Sequence, residues 1–110
     1  MHTDKFVTAW KKGIRIVGEE FFKIKASSLD KAEKKWQLEP NYFFIQENIW
    51  TYSHGKQVLM GMMYSFFDSE DGQKILEKAK TPNFVQALNV LDEQAREIVY
   101  QLCQHQAGWL

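Results

Sequence analysis

Residues 5–25 read KFVTAWKKGIRIVGEEFFKIK, and this stretch decides between a purely helical chain and one that begins with a β-hairpin. Phe6, Trp10, Ile14, Val17, Phe21 and Ile24 recur at spacings of 4, 4, 3, 4 and 3. At about 100° per residue they fall within roughly 80° of arc, with Lys5, Lys11, Lys12, Arg15, Glu19 and Lys23 on the opposite side. That predicts an amphipathic helix from about Asp4 to Lys25. Gly13 and Gly18 oppose it by about 1 kcal/mol each. The rival arrangement pairs Ile14–Val17 with Phe21–Lys25 around Gly18-Glu19-Glu20, because Ile-Arg-Ile and Phe-Lys-Ile alternate. Helix is the favoured reading.

Downstream, the punctuation is that of helix ends. Ser27 and Ser28 precede a short amphipathic run in which Leu29, Ala32 and Trp36 share a face, and Pro40 stops it. Asn41 caps Tyr42 to Trp50, a segment apolar on most sides and expected to be central, with a strand over Tyr42–Ile45 as the other option. Ser53 opens the clearest buried helix, in which Val58, Leu59, Met62, Met63, Phe66 and Phe67 repeat as pairs every four residues. Asp68–Gly72 breaks it and Ser69 suits the next helix start, whose apolar face is Ile75, Leu76 and Ala79. Thr81-Pro82 reads as a cap followed by proline at the first helical position. From Phe84 to Leu102 the spacing is helical with a bend near Asn89–Asp92, and Gly108 ends the run. The fold class is therefore all-α, a compact bundle of five or six helices in one domain over residues 1–110. The alternative is α+β with a small hairpin near residues 14–25.

Composition narrows the function classes. The chain has 110 residues, 45% hydrophobic and 15% aromatic, too rich in aromatic groups for a disordered tail. One cysteine rules out an internal disulfide and a thiolate zinc cage. No apolar run exceeds four residues, far short of the roughly 20 that span a bilayer or of a signal sequence's apolar stretch. A soluble cytoplasmic protein that does not engage a membrane is expected. Lys and Arg number fourteen, as do Asp and Glu, so the formal charge is zero, which argues against a dedicated polyanion binder. The charges are nonetheless divided. Residues 1–40 carry nine basic and six acidic groups, a surplus of three positive charges, which the remaining residues reverse. Such a split permits head-to-tail association or anion contact by the first third.

No motif specifies a chemistry. His54-Gly55-Lys56 lies at a helix start, where amides attract anions, so His54 and Lys56 are candidate anion contacts. A Walker loop would need glycine where Trp50 stands. An EF-hand begun at Asp68 would need its bidentate glutamate at Ala79, so calcium fails too. Cys103 and His105 stand about 200° apart on a helix and cannot act as a local nucleophile and base; Cys103, beside Leu102, reads as a partly buried apolar residue. Neither an enzymatic role nor a cofactor is expected.

The leading expectation is a small protein-binding or regulatory protein, with another protein or a second copy as partner, acting through exposed apolar and aromatic groups. The candidate contacts are Trp109, Leu110, Met60, Met63 and Phe67. The methionines are adaptable enough for a partner groove and equally suited to an ordinary core. The alternative is a nucleic-acid binder using the basic first 40 residues, through Lys11, Lys12, Arg15, Lys31, Lys34 and Lys35 with His54 and Lys56. Trp10 and Trp36 both fall on the apolar face of the helical wheel, so neither is expected to be offered for base stacking.

Overall fold

A computed structural model describes residues 4–106. Among them are six α-helices and one two-stranded antiparallel ribbon: α1 (Lys5–Val17), β1 (Phe22–Ile24), β2 (Leu38–Pro40), α2 (Tyr42–Asn48), α3 (His54–Phe67), α4 (Ser69–Lys78), α5 (Phe84–Val90) and α6 (Glu93–His105). The fold is the mostly helical bundle expected, with a short ribbon added. Trp109 and Leu110 lie outside the described residues.

The stretch from Lys5 to Lys25 is neither one long helix nor a hairpin closed on Gly18. Asp4 caps α1 by accepting from the Val7 amide, and the helix stops at Gly18, whose φ of 130° suits glycine alone. Phe21 follows in a 3₁₀ turn and Ile24 in β1. The strand's partner is not Ile14–Val17 but Leu38–Pro40, in the register Phe22↔Pro40, Lys23↔Glu39 and Ile24↔Leu38. The helical phase persists past Gly18 because the turn still buries Phe21 and the strand packs Ile24 against the core. The ribbon is fixed to α1 by Trp10, fully buried, whose indole N–H donates to the Leu38 carbonyl at 2.9 Å.

The run from Leu29 to Trp36 is likewise not a helix but two separate 3₁₀ turns, Leu29–Lys31 and Lys35–Gln37. Ser28 makes no capping bond, and Gln37 holds the second turn through its side chain. Its Oε1 accepts from the Glu33 and Lys34 amides at 2.9 Å, while its Nε2 donates to the Lys25 carbonyl. Leu29 and Ala32 are buried, but Trp36 is 56% exposed.

The segment Tyr42–Trp50 is helical, with Asn41 as its cap, and then tightens into a 3₁₀ turn over Ile49–Thr51. It is not central. Ile45 and Ile49 reach the core, whereas Phe43 is 78% exposed. The α3 and α4 helices form the tightest seam, joined by the single residue Asp68, which caps α4 by accepting from the Asp71 amide. Small residues set the spacing there: Gly61 lies under Leu76, and Gly72 against the backbone of Ser65. α1 packs along α6 and against α3, so the core runs from Trp10 and Ile14 through Met60 and Met63 to Ile75 and Leu102.

The link from α4 to α5 corrects another expectation. Lys80 adopts φ 62°, and the Lys80 and Thr81 amides donate to the Glu77 and Leu76 carbonyls. That is a Schellman closure with lysine where glycine is usual. Thr81 is therefore part of a helix stop rather than a cap; α5 starts at Phe84, capped by Asn83. The predicted bend is a full break, in which Leu91 is buried and Asp92 caps α6. Thr81 is buried, and its hydroxyl makes no hydrogen bond with the described residues. A buried hydroxyl without a partner costs about 1–3 kcal/mol. Thr81→Val, which keeps the shape and removes the polar group, is expected to raise the unfolding free energy by about 1 kcal/mol in urea titration. An unchanged or lower value would show the hydroxyl to be satisfied.

Candidate interaction site

One apolar cleft of about 350 Å³ opens beside the α3–α4 seam. Helical spacing brings Met62, Ser65 and Phe66 to it from α3, and Ser69, Gln73 and Leu76 from α4. Pro82, Phe84 and Gln106 complete the lining, so the α4–α5 link and the end of α6 close two of its sides. Met62 and Leu76 are buried, and Phe84 at the margin is 53% exposed. Two of its polar groups are already engaged. Ser65 Oγ donates to the Gly61 carbonyl at 2.8 Å, and Gln73 Nε2 donates to the Pro82 carbonyl at 2.9 Å. Ser69 and Gln106 are its other polar lining residues, and the rest of the lining is apolar, in a volume at the lower end of that of small-ligand pockets.

Next to the cleft, Phe66 meets the edge of Phe6 at 6.0 Å between ring centres, and the Lys35 ammonium lies 5.4 Å from the Phe6 ring centre. Phe6 thus links the wall of the cleft to the residue beside Trp36. Large apolar groups also reach the surface at Phe43 and Phe44 on α2, at Val85 on α5 and at Tyr100 on α6.

The residues singled out from sequence are distributed differently. Met60 and Met63 are fully buried, and the Met63 thioether fills the space left by Gly13 on α1. They are core residues and present no surface to a partner. Phe67 is half-buried, edge-on to Tyr64. Three of the basic residues are engaged within the molecule. Arg15 pairs with Asp30, Lys11 donates to the Asp30 carbonyl at 3.2 Å, and Lys35 covers Phe6. Lys12, Lys31 and Lys34 are exposed. His54 and Lys56 are turned to other partners: the His54 Nε2–H donates to the Ala79 carbonyl at 2.8 Å, and the Lys56 ammonium lies 5.6 Å from the Tyr52 ring centre.

Among the described residues, three groups have displaced pKa values, and all move away from neutrality. The Tyr52 phenol is raised by donating to Glu20 Oε2 at 2.7 Å, and Tyr64 is raised by burial and then by Asp71 and Asp68. Cys103 is exposed as a residue, contrary to its expected partial burial, yet desolvation of the thiol raises its pKa. That leaves little thiolate at neutral pH. Among the described residues, no group of three His, Cys, Asp or Glu side chains is placed to hold a metal ion. None of their helices is long and apolar enough to cross a membrane.

Sequence reasoning missed the cleft because four separate segments build it. The one local signal was Phe84-Val85, two large apolar residues in the first turn of a seven-residue helix. In class, the molecule is a small helical bundle with a ribbon clamped to its first helix. No protein-family model, curated protein or solved structure matches the chain.

Proposed function

We propose that this is a small protein-binding module, adaptor-like or regulatory, whose α3–α4 cleft receives an apolar side chain from a partner. The observation that carries the reading is the open apolar cleft with a half-exposed phenylalanine at its margin. Contiguous exposed apolar surface marks interaction sites, and a formal charge of zero leaves little repulsion against association. An anchor residue in such a cleft is the usual centre of a binding hot spot.

The test uses free anchors. Titration of isotope-labelled protein with N-acetyl-tryptophanamide or N-acetyl-leucinamide is expected to shift the amides of Phe66, Leu76 and Phe84 together. Phe84→Asp is expected to remove the response while stability stays within about 0.5 kcal/mol, because the side chain is exposed and a carboxylate suits the first turn of a helix. Shifts scattered over the surface, or none, would retire the cleft as a binding site.

A second reading, nucleic-acid binding, draws on one observation: Trp36 is exposed beside Lys34 and Lys35, where a base could stack. Engagement of Arg15, Lys11 and Lys35 within the molecule weighs against it. Binding of single-stranded oligonucleotides with a steep salt dependence would favour it.

A further inference from the structure

We propose that the cleft is filled by the Trp36 side chain of a second copy, two molecules exchanging tryptophans about a two-fold axis. This inference rests on reading the cleft as a protein-binding site and adds the identity of the occupant. Three observations carry it.

The first is the exposed indole. The 3₁₀ turn that carries Trp36 is held from both sides by Gln37, through the Glu33 and Lys34 amides and the Lys25 carbonyl. Trp36 is thus presented on a braced turn, and an anchor that is already ordered loses little entropy when it binds. A large, rigid aromatic is also the residue type most often found at the centre of an interface.

The second is placement. Lys35 lies over Phe6, Phe6 meets Phe66, and Phe66 lines the cleft. The turn that carries the anchor is thus joined to the wall of the receptacle through a single ring, Phe6. When a single surface carries both, a two-fold rotation brings each anchor to the other copy's receptacle, and the assembly closes at two. An anchor and a receptacle on opposite ends would give open chains instead.

The third is charge. Lys31 and Lys34, both exposed, stand just before the Trp36 turn, while the α4 margin of the cleft at Ser69 is flanked by the exposed Asp68 and Glu70. The basic first part of the chain would face the acidic second part of its partner. This arrangement uses the division of charge hidden by the zero total, and it orients the encounter.

The experiment is sedimentation equilibrium of the full chain over a wide concentration range, for wild type, Trp36→Ala, Phe84→Asp and an equimolar mixture of the two variants. Wild type is expected to dimerise. Each variant alone is expected to weaken dimerisation about 100-fold, as for loss of a central aromatic anchor. The mixture is expected to recover a heterodimer, because Phe84→Asp still offers Trp36 and Trp36→Ala still offers an intact cleft. Far-UV circular dichroism of each variant checks that the fold persists.

A dimer unaffected by Trp36→Ala overturns the proposal. So does a dimer that Trp36→Ala abolishes but Phe84→Asp leaves intact, or a mixture that fails to complement. A wild-type monomer whose cleft still binds N-acetyl-tryptophanamide overturns the exchange and leaves the cleft reading standing. If the amide does not bind either, both fall. A monomer whose tryptophan fluorescence is quenched by single-stranded oligonucleotide overturns the exchange in favour of nucleic acid.

Discussion

Gly72→Ala is expected to lower the unfolding free energy by about 3 kcal/mol and the thermal midpoint by roughly 15 °C, at the severe end of small-to-large substitutions in a packed interior. A Cβ at this position would stand 2.6 Å from both the Cα and the amide nitrogen of Ser65 and 2.2 Å from Ser65 Oγ. Those first two are backbone atoms of α3, so no side-chain rotation relieves the clash. The two helices would have to part along the seam that also seats Leu76 against Gly61. Their connection is a single residue, which leaves no slack for one to slide past the other. Gly55→Ala is the natural control. It lies in the first turn of α3, and a methyl group there would have nothing within 4 Å, so alanine should be neutral or slightly stabilising. Thermal unfolding of the pair followed by circular dichroism decides the matter. Equal midpoints for both variants would show that the seam is loose.

Trp10→Ala is expected to remove about 4 kcal/mol, a large share of the stability of a chain this size. The side chain is fully buried, stacked on Phe6 at 5.7 Å and 19° and edge-on to Phe22 at 5.9 Å and 84°. Trp10→Phe separates the two parts of its contribution. It keeps most of the apolar contact but takes the indole donor from the Leu38 carbonyl, and should cost about 2 kcal/mol. That carbonyl has no alternative in the ribbon. Lys25 bonds to Gln37, and the Asn41 amide to the Phe21 carbonyl, so Ile24 and Leu38 form a non-hydrogen-bonded pair whose peptide groups point outward. Urea unfolding of both variants is the measurement. A phenylalanine variant as stable as wild type would show that the indole bond contributes nothing net.

The helices were legible where caps and periodicity agreed. Ser53 with the paired apolar residues after it marked α3, and Asn41 marked α2 although the strand alternative had the better residue propensities. What misled was phase. Phe21 and Ile24 continue the pattern of α1, but a 3₁₀ turn and a strand carry them, and periodicity counts only which side is buried. The partner strand was invisible because three residues ending in proline carry no alternation to detect. The same error moved Trp36: assigned to a helix it faces the core, and freed of the helix it faces solvent. Met63 shares the apolar stripe of α3 with Met62, which reaches the cleft, whereas Met60 stands about 200° from Met62 and is buried all the same, because α3 is covered on more than one side.

The order of the pairings along the chain has a consequence for synthesis. The α3–α4 hairpin closes over one residue and can form as soon as both helices exist, at almost no loop entropy. The pairing of α1 with α6 spans most of the sequence. During N-to-C-terminal synthesis, the apolar face of α1 at Phe6, Trp10, Ile14 and Val17 is complete long before α6 is made. In that interval the first cover to arrive is the β1–β2 ribbon, fastened through Trp10. The clamp that looks merely architectural in the finished molecule is thus also the earliest-made partner of the buried Trp10 outside its own helix, ahead of α3 and α6.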